Sequence, residues 1–533
     1  MGTKRVMRRR EFLRAALAGA ACVASGGGMA PAAASPSRKD RPNVLLILSD
    51  EHNASVTGCY GNRIVRTPHL DGLAARGVTF DSAYTNSPLC VPSRLALTAG
   101  KYVSRTGAWN NDCWLPGDDY PSLPRIMTAA GYEAVLCGKM HYDRSHRYGF
   151  TEIGGNMNNS FMTGRGGRRP ADNLASAGLS ARFAEFRVAE RAAHEAHDTR
   201  VTAGVAEFLA GRKTTDKPFF LLAGYLAPHF PLVVPRAYYE PYRGKVPMPH
   251  IPPGHLDKLP LNYKHLRAGF QLVDVPEETV RFGRELYYGL TQWIDREIGK
   301  LLAALAESRV ADNTVVIYTA DHGENMGEHG LWWKNCMYEH AARVPLVVRW
   351  PARWAGGQRR TGACSLVDVV QTIAELGGAR VPEDWNGRSL CGYLDDAQST
   401  SRDLAVSEYY AHNIASGFAM IRRGRHKYVY HTPPDDRHPA QRELYDLAAD
   451  PGELANLAER PEHRPTLQRL HAELVKELGQ HPDEIEQRCR ADYAKGYGRS
   501  EEGGKGKGKG KGKAGKGKGR KQATAWHGHL ARA

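Results

Sequence analysis

The segment Ser87–Gly100, SPLCVPSRLALTAG, places a cysteine, a proline, a serine and an arginine at close, fixed spacing. Its Cys90 is open to several interpretations, since a lone cysteine is most often a small buried apolar residue. A cysteine nucleophile needs a histidine and an Asn or Asp partner, which a single sequence does not place. Arg94 favours anion chemistry if Gly100 closes a helix that opens near Pro92, because a helix N-terminus attracts negative charge.

Four short apolar runs are each followed by polar, ionisable residues. The runs and the residues after them are Val44–Leu48 before Ser49–His52, Ala134–Cys137 before Gly138–His141, Phe219–Leu222 before Ala227–His229, and Val315–Ala320 before Asp321–Glu324. Continuous apolar runs of this length are typical of parallel strands buried on both faces. Ligands of open α/β sheets bind outside the carboxyl ends of the strands. We therefore expect these distant residues to share one pocket.

Helical patterns lie between the strands. Residues 279–305 repeat apolar residues at helical spacing, which predicts core packing rather than a cofactor site. These apolar positions are Leu286, Leu290, Ile294, Ile298 and Leu301. A shorter helix is predicted over residues 68–74. Strands that alternate with helices indicate an α/β fold.

Two aspartates, Asp50 and Asp321, stand at predicted strand ends. Their oxygens suit Ca²⁺ or Mg²⁺ rather than zinc. One such aspartate alone is usually a helix cap or a turn former, so the pair carries more weight than either member. Nine cysteines are spread along the chain without a CxxC pair, which indicates neither a zinc ribbon nor a dense disulfide framework. One or two disulfides are still compatible with the sequence.

Several segments together resemble the motifs of formylglycine-dependent, type I sulfatases of the alkaline phosphatase superfamily. The family's CxPSR signature matches from Cys90, its GKxH segment matches Gly138–His141, and its substrate-side histidine matches His229. Residues 321–334, DHGENMGEHGLWWK, resemble the DHGE, GEHG and lysine motifs. The resemblance covers roughly residues 41–460 and keeps the family's chain order.

The resemblance implies a metal centre and a modified residue. Cys90 would be oxidised to formylglycine, whose hydrate attacks the sulfur of a sulfate ester. Ca²⁺, with Mg²⁺ as the alternative, would be held together with modified Cys90 by Asp50, Glu51, Asp321 and His322. Many members of the family carry Asp in place of Glu51 and Asn in place of His322.

The resemblance also implies roles around the substrate. Arg94, Lys139 and Lys334 would stabilise the anion, because cleavage moves negative charge onto the leaving oxygen. His229, with Lys334, would protonate the departing alcohol. His141 would assist the elimination of sulfate. Six further residues are candidates to line a sugar site, although aromatic residues are more often simply packed: Trp109, Asn110, Asn111, Trp114, Trp332 and Trp333.

The implied fold is alkaline-phosphatase-like, with a large mixed, mostly parallel sheet sandwiched by helices and a smaller C-terminal α+β domain. Alternation in Met420–Arg422 and Lys427–Tyr430 itself indicates antiparallel strands. The segment Glu443–Leu447 matches a closing motif of sulfatases. We predict a sulfatase catalytic domain over residues 35–398 and an α+β subdomain over residues 399–495.

The two ends hold most of the formal charge of +16 and leave about +1 for the body. Residues 1–34 resemble a twin-arginine signal, which implies a bacterial protein exported to the periplasm or secreted. An uncleaved membrane anchor is the alternative, but Gly26–Gly28 interrupts the apolar run. Residues 496–533 form a Gly/Lys-rich segment that we expect to be disordered. Such a tail could bind a polyanion or only aid solubility.

Three functions are distinguished. The leading one is hydrolysis of a sulfate ester on a sugar or glycan, an aryl group or a small alcohol such as choline. The second is hydrolysis of phosphonate monoesters or phosphodiesters with the same aldehyde and metal. The third is non-catalytic polyanion binding with Cys90 left as a thiol. The enzymatic readings imply a formylglycine-generating enzyme and the twin-arginine export machinery as partners; no nucleic acid is expected, and the oligomeric state stays open.

Overall fold

The computed structural model describes residues 41–143, 145–158, 167–399 and 401–496. The predicted signal, residues 1–34, and the tail beyond residue 496 lie outside the described residues. The strands are β1 (Asn43–Asp50), β2 (Val78–Phe80), β3 (Ala83–Tyr84), β4 (Glu133–Gly138), β5 (Thr151–Glu152), β6 (Arg187–Ala189), β7 (Phe219–Pro228), β8 (Val233–Pro235), β9 (Thr314–Ala320), β10 (Arg343–Val344), β11 (Leu346–Arg349), β12 (Gln358–Arg360), β13 (Cys364–Ser365), β14 (Leu404–Tyr409), β15 (Phe418–Arg423), β16 (His426–His431) and β17 (Gln441–Asp446). The α-helices are Pro68–Ala75, Cys90–Ala99, Val103–Thr106, Leu123–Ala129, Glu195–Ala210, Arg236–Tyr239, Leu261–Gly269, Glu277–Glu307, Glu339–Ala342, Leu366–Leu376, Cys391–Asp395, Arg464–Leu478 and Pro482–Ala494.

The main sheet has eight strands in the order β12-β2-β11-β9-β1-β7-β4-β5. Strands β9, β1, β7, β4 and β5 pair in parallel. Strand β11 runs against both β9 and β2, and β12 is parallel to β2. The sheet is therefore mixed and mostly parallel, as predicted. The four strands that precede the candidate site residues are neighbours at its centre, so their carboxyl ends meet.

Helices cover both faces of this sheet. Alternate residues of β1 point to opposite faces: Val44, Leu46 and Leu48 pack in one core with the helices Cys90–Ala99 and Leu366–Leu376. Leu45 and Ile47 pack in the other core with the helices Glu195–Ala210 and Glu277–Glu307. Burial on both faces explains the uninterrupted apolar runs of the sequence.

The C-terminal part forms a second, antiparallel sheet in the order β14-β15-β16-β17. The helix Arg464–Leu478 packs against it through Leu470 and Leu474, which are fully buried. The predicted smaller α+β domain is therefore confirmed, while its limits at residues 399–495 stay a prediction.

The cysteines and helices of the described ranges add two observations. The eight cysteines that the structure describes are all unpaired thiols. Within the same ranges, no helix has both the length and the apolar character of a membrane span.

A buried glutamate links the second sheet to the catalytic domain by hydrogen bonds. Its shifted pKa predicts that the stability of the protein depends on pH. Glu408 of β14 accepts hydrogen bonds from the backbone N–H and the hydroxyl of Ser104, at 3.0 and 3.2 Å. Burial raises the pKa of Glu408 to about 7 from 4.5. The stability linked to this protonation is full below pH 4.5 and is lost as the pH rises through 7. Glu408→Gln keeps an acceptor but cannot ionise, so we expect its melting temperature to fall less than that of the wild type over this window.

Thermal melts across that pH window check the prediction. The matched control is Glu459→Gln, which removes the same charge from an exposed position. Equal pH dependence in the wild type and Glu408→Gln would contradict the assignment.

Candidate active site

Cys90 is the first residue of the helix Cys90–Ala99, two positions earlier than the sequence predicted. Gly100 ends the helix in the left-handed region, at φ 63°, which glycine adopts without strain. The side chain of Asn111 accepts the free N–H of Val91 at 3.0 Å. Cys90 is 2% exposed. Its thiol therefore lies buried at the positive end of a helix.

Arg94 lies on the same helix as Cys90 and binds two carboxylates that come from strand ends. Its Nε donates to Asp321 Oδ2 and its Nη2 donates to Asp50 Oδ2, both at 2.8 Å. Its Nη1 donates to the Lys139 carbonyl oxygen at 2.7 Å. Arg94, Asp50, Asp321 and Lys139 are all buried. The guanidinium thus fixes one oxygen of each aspartate, and its predicted role in stabilising the substrate anion stays a prediction.

The other oxygens of the two aspartates face Cys90. Asp50 Oδ1 is 3.8 Å from Cys90 Sγ, and Asp321 Oδ1 accepts the backbone N–H groups of Glu51 and His322 at 3.1 and 3.0 Å. His322 Nε2 is 3.2 Å from Cys90 Sγ. One ligand atom from each of Asp50, Cys90, Asp321 and His322 lies within 4.8 Å of the others. The strand ends and the helix start therefore build one compact cluster.

The chemistry of this donor set fits a hard divalent cation. Glu51 lies beside the cluster, and its Oε1 is buried and meets no hydrogen-bond donor among the described residues. Burial, with Glu324 and Asp50 nearby, raises the pKa of Glu51 well above its ordinary value despite Lys334. Burial likewise raises the pKa of Asp321. Asp50 and Asp321 each turn one oxygen to Arg94 and offer the other to the cluster, and carboxylate oxygens are the ligands that Ca²⁺ and Mg²⁺ prefer.

The Cys90 thiol is strongly acidified. Burial alone would raise its pKa, but Lys334, Lys139 and His322 outweigh burial and lower the pKa of Cys90 well below its ordinary value. Burial also opposes the charged form of His322, yet Asp321 and Cys90 raise the pKa of His322 to about 9. The position of Cys90 is thus prepared for negative charge.

Lys334 and His229 form a coupled pair at the edge of the cluster. Lys334 Nζ is 2.9 Å from His229 Nε2 and 3.1 Å from Glu51 Oε2. Burial and the Lys334 charge lower the pKa of His229 to about 3. Despite burial, the charges of Cys90 and Glu51 raise the pKa of Lys334. Since His229 Nδ1 faces the Phe230 carbonyl oxygen, we assign the proton of the neutral ring to Nδ1, and Lys334 donates to Nε2.

Lys139 and His141 complete the set. Lys139 is buried and its ammonium pairs with Asp50. His141 has φ 60°, in the left-handed region, and neither of its ring nitrogens reaches an acceptor or donor with normal hydrogen-bond geometry among the described residues. Burial lowers the pKa of His141, while the adjacent Cys90 works in the opposite direction. The His141 ring is therefore neutral and near the reactive position.

The structure separates the candidate sugar-site residues. Trp109 packs on Tyr410, and its indole N–H donates to Asp492 at 3.0 Å. Asn111 caps the helix that begins at Cys90, and Trp333 directly precedes Lys334. Only part of that candidate set therefore reaches the site.

Two residues that matter to the site were missed. Tyr287 donates to the Glu51 carbonyl oxygen at 2.6 Å and accepts the Asn53 N–H at 2.9 Å. Glu324 accepts hydrogen bonds from the N–H groups of Met326 and Trp333 at 2.9 and 2.6 Å. These bonds hold the two ends of the loop between Glu324 and Trp333 together. Glu324 belongs to the DHGE segment and could have been found there. Tyr287 sits in an apolar helical pattern and gives no local signal.

A family model described as Sulfatase matches residues 42–379. The chain belongs to the sulfatase family. A second family model, described as N-sulphoglucosamine sulphohydrolase, C-terminal, matches residues 327–480 of this sulfatase. The expected membership of the type I sulfatases, in the alkaline phosphatase superfamily, is thus confirmed. The protein is an enzyme that hydrolyses sulfate esters.

Relatives of this sulfatase agree with that assignment. A choline-sulfatase of Rhizobium meliloti (strain 1021) is 30% identical over 453 residues, which cover 79% of this chain and 83% of the relative. A protein solved in complex with its substrate D-glucosamine-2-N,6-O-disulfate is similar with a TM-score of 0.66 at 23% identity, over 83% of this chain and 99% of that one. The phosphonate monoester hydrolase of Agrobacterium radiobacter gives 0.67 at 23% identity, over 83% and 96%. The two structural similarities establish the fold.

Proposed function

We propose that this sulfatase cleaves a sulfate ester with a hydrated formylglycine made from Cys90 and a bound divalent cation, and releases inorganic sulfate. The observation that carries the proposal is the setting of Cys90. A buried thiol at a helix N-terminus clusters with Asp50, Asp321 and His322, and the charges of Lys139 and Lys334 act on it. An inert structural cysteine would need no such ionic surroundings.

Asp50, Asp321, His322 and modified Cys90 would hold the cation, and Glu51 would join them through its unpartnered Oε1. Ca²⁺ is the ion we favour because the donors are mainly carboxylate oxygens, and Mg²⁺ is the alternative. When bound, the cation would polarise the sulfate oxygens and favour negative charge at the reacting centre. Arg94 keeps both aspartates oriented toward that position.

The remaining residues bind the anion and move protons. Modified Cys90 supplies the nucleophilic hydroxyl. Lys139 and Lys334 present positive charge to the sulfate group. The hydrogen bond from Lys334 to neutral His229 makes Lys334 the protonated member of the pair, so a proton for the leaving alcohol comes from Lys334 directly or through His229. Neutral His141 can accept a proton from the second hydroxyl of the hydrate.

Maturation must precede folding. Cys90 is 2% exposed and its helix is enclosed by core residues, so a formylglycine-generating enzyme needs the unfolded segment. Export through the twin-arginine machinery, which moves folded proteins, would place this oxidation in the cytoplasm. The mature enzyme would then act in the periplasm or outside the cell.

The substrate class follows from the proposed chemistry and from one relative. We propose a sulfated sugar or glycan, supported by the fold neighbour that was solved with a sulfated glucosamine. Turnover of a sulfated-glycan panel, compared with choline sulfate and with a phosphonate monoester, tests the assignment. A higher kcat/KM for the phosphonate than for every sulfate ester would overturn it in favour of the alternative hydrolase.

The metal assignment gives a prediction of its own. Ca²⁺ should raise the melting temperature of the wild type, because ligand binding to the folded state stabilises it. Chelation should abolish turnover, and Asp321→Asn should lose the thermal response since it removes one ligand charge. Differential scanning calorimetry with and without Ca²⁺ measures this.

Asp312→Asn is the matched control, because Asp312 is exposed and outside the cluster. An unchanged melting temperature of the wild type with Ca²⁺, together with full activity after chelation, would rule out the cation. The same titration with Mg²⁺ decides between the two ions.

A further inference from the structure

Two strained backbone positions flank Lys334. Trp333 has φ 64° and Asn335 has φ 80°, both in the left-handed region that residues other than glycine rarely adopt. Such a conformation persists only where the surrounding structure imposes it. The position of the Lys334 ammonium, 2.9 Å from His229 Nε2, therefore depends on what holds the chain on either side of it.

Residues 335–339 follow this lysine, and the second sheet holds them at their start. The side-chain amide of Asn335 donates to the hydroxyl of Tyr409, the last residue of β14, at 2.9 Å. The backbone N–H of Asn335 donates to the Pro88 carbonyl oxygen at 3.0 Å, two residues before Cys90. The start of the segment is thus fixed between the second sheet and the loop that leads to Cys90.

A buried lysine of the second sheet holds the other end of the segment. Lys427 of β16 is 0% exposed, and its ammonium donates to the Met337 carbonyl oxygen at 2.7 Å and to Glu339 Oε1 at 2.8 Å. Lys427 also forms an ion pair with Glu453, whose Oε2 accepts the backbone N–H of Glu339 at 2.6 Å. One ammonium and one carboxylate of the C-terminal domain therefore bind the backbone of this segment.

The charges of this cluster favour a single arrangement. Burial alone would raise the pKa of Glu339, but Lys427 and Arg343 lower it. Glu339 also accepts a hydrogen bond from the Tyr84 hydroxyl at 2.9 Å. Breaking a buried ion pair leaves an uncompensated charge, which is strongly destabilising. The contact between Lys427 and Glu339 therefore fixes the end of the segment.

We propose that the second sheet sets the position of Lys334, with Lys427 as the main positioning residue and Tyr409 as the second. Both act through residues 335–339 rather than on the substrate. The inference rests on the proposed function, because it takes Lys334 as a group that acts on the sulfate ester. It gives the C-terminal domain a part in the reaction, since its sheet keeps the lysine beside His229.

A double-variant cycle of Lys427→Met and Lys334→Met tests the role of Lys427. Lys427→Met alone should lower kcat by about 10- to 100-fold, the cost of misplacing a catalytic group by about 1 Å. Its losses on a sugar sulfate and on a nitrophenyl sulfate should stand in the same ratio as those of Lys334→Met. The kcat of the double variant should lie within about 3-fold of that of Lys334→Met, because residues that act as one unit are not additive. Losses that multiply in the double variant, or an unchanged kcat in Lys427→Met, would overturn the role.

Tyr409→Phe tests the same position without removing a buried charge, so it serves even if Lys427→Met folds poorly. It should lower kcat by about 3- to 10-fold, the range of one neutral hydrogen bond, and should have no further effect in the Lys334→Met background. Tyr428→Phe is the matched control, because Tyr428 packs on the opposite face of the sheet, where its hydroxyl lies 3.1 Å from His471 Nδ1. Equal losses in Tyr409→Phe and Tyr428→Phe would overturn the role of Tyr409.

Crystal structures of protein with an unmodified Cys90 separate this inference from the proposed function. In Lys427→Met, Lys334 Nζ should lie more than about 3.5 Å from His229 Nε2, outside hydrogen-bond range. Lys476→Met, which changes an exposed lysine of the helix Arg464–Leu478, should keep the wild-type distance. If the wild type turns over no sulfate ester while Lys427→Met displaces Lys334, the proposed function fails and the role of Lys427 stands. An undisplaced Lys334 in Lys427→Met overturns that role.

Discussion

Cys90→Ala should lower kcat by at least about 10⁴-fold on every sulfate ester, because it removes the proposed covalent nucleophile on which the other groups act. The fold should persist, since Cys90 is one small residue at a helix start with its backbone N–H free of intrahelical bonds. Mass spectrometry of the peptide that contains residue 90 supplies the second measurement. In active wild-type protein from a host with a formylglycine-generating enzyme, we expect the aldehyde in place of the thiol.

Cys59→Ser is the control for cysteine loss in general, because Cys59 is a half-buried free thiol outside the cluster of Asp50, Cys90, Asp321 and His322. It should retain activity, and the peptide that contains residue 90 should keep the mass of the aldehyde form. Wild-type protein made without the maturation enzyme should carry the thiol at residue 90 and match Cys90→Ala in rate. Full activity in protein whose residue 90 is an unmodified thiol would remove the enzymatic mechanism proposed for this chain.

Lys334→Met is the second large effect. It keeps the length of the side chain but removes the charge that hydrogen bonds His229 and Glu51. We expect kcat to fall by about 10²- to 10³-fold, the cost of removing a fixed donor from a site where negative charge develops. The loss should be larger for a sugar sulfate than for a nitrophenyl sulfate, because an alkoxide leaving group depends on protonation and a nitrophenolate hardly does.

His229→Ala sharpens the test of this pair. If Lys334 donates the proton directly, His229→Ala should be less damaging than Lys334→Met with the sugar sulfate, whose leaving group depends on protonation. Lys213→Met, at an exposed position, controls for loss of a lysine charge. Equal losses of Lys334→Met on both leaving groups would assign Lys334 to anion binding alone and exclude it as the proton source.

Much of the fold was accessible to sequence reasoning because its signals are local. The run Val44–Leu48 lies within β1, and the apolar positions from Leu286 to Leu301 lie on the buried side of the helix Glu277–Glu307. Burial of a parallel strand on both faces and of one stripe of a helix requires these patterns in any arrangement of the elements. The observed strands extend a few residues beyond the apolar runs, because polar residues at their ends, such as Asp50, keep the strand geometry.

The candidate site was accessible for a related reason. Asp50, Lys139, His229 and Asp321 follow strands whose order in the sheet the sequence does not specify, yet parallel strands of one sheet all end at the same edge. Motif resemblance then selected which residues at that edge to consider. Neither the strand positions nor the motif resemblance indicated which atoms of those residues already form hydrogen bonds or ion pairs within the protein.

The sequence by itself determined the residue types at the strand ends, a helix that Gly100 closes and the family to which the chain belongs. Only the tertiary structure decided that Arg94 braces Asp50 and Asp321, and that His229 is neutral beside Lys334. It also decided that Lys427 of the second sheet binds the segment that follows Lys334. The physical reason is that hydrogen bonds, desolvation and ring contacts depend on segments up to hundreds of residues apart in the sequence. Hydrophobic periodicity and helix capping depend only on residues a few positions apart.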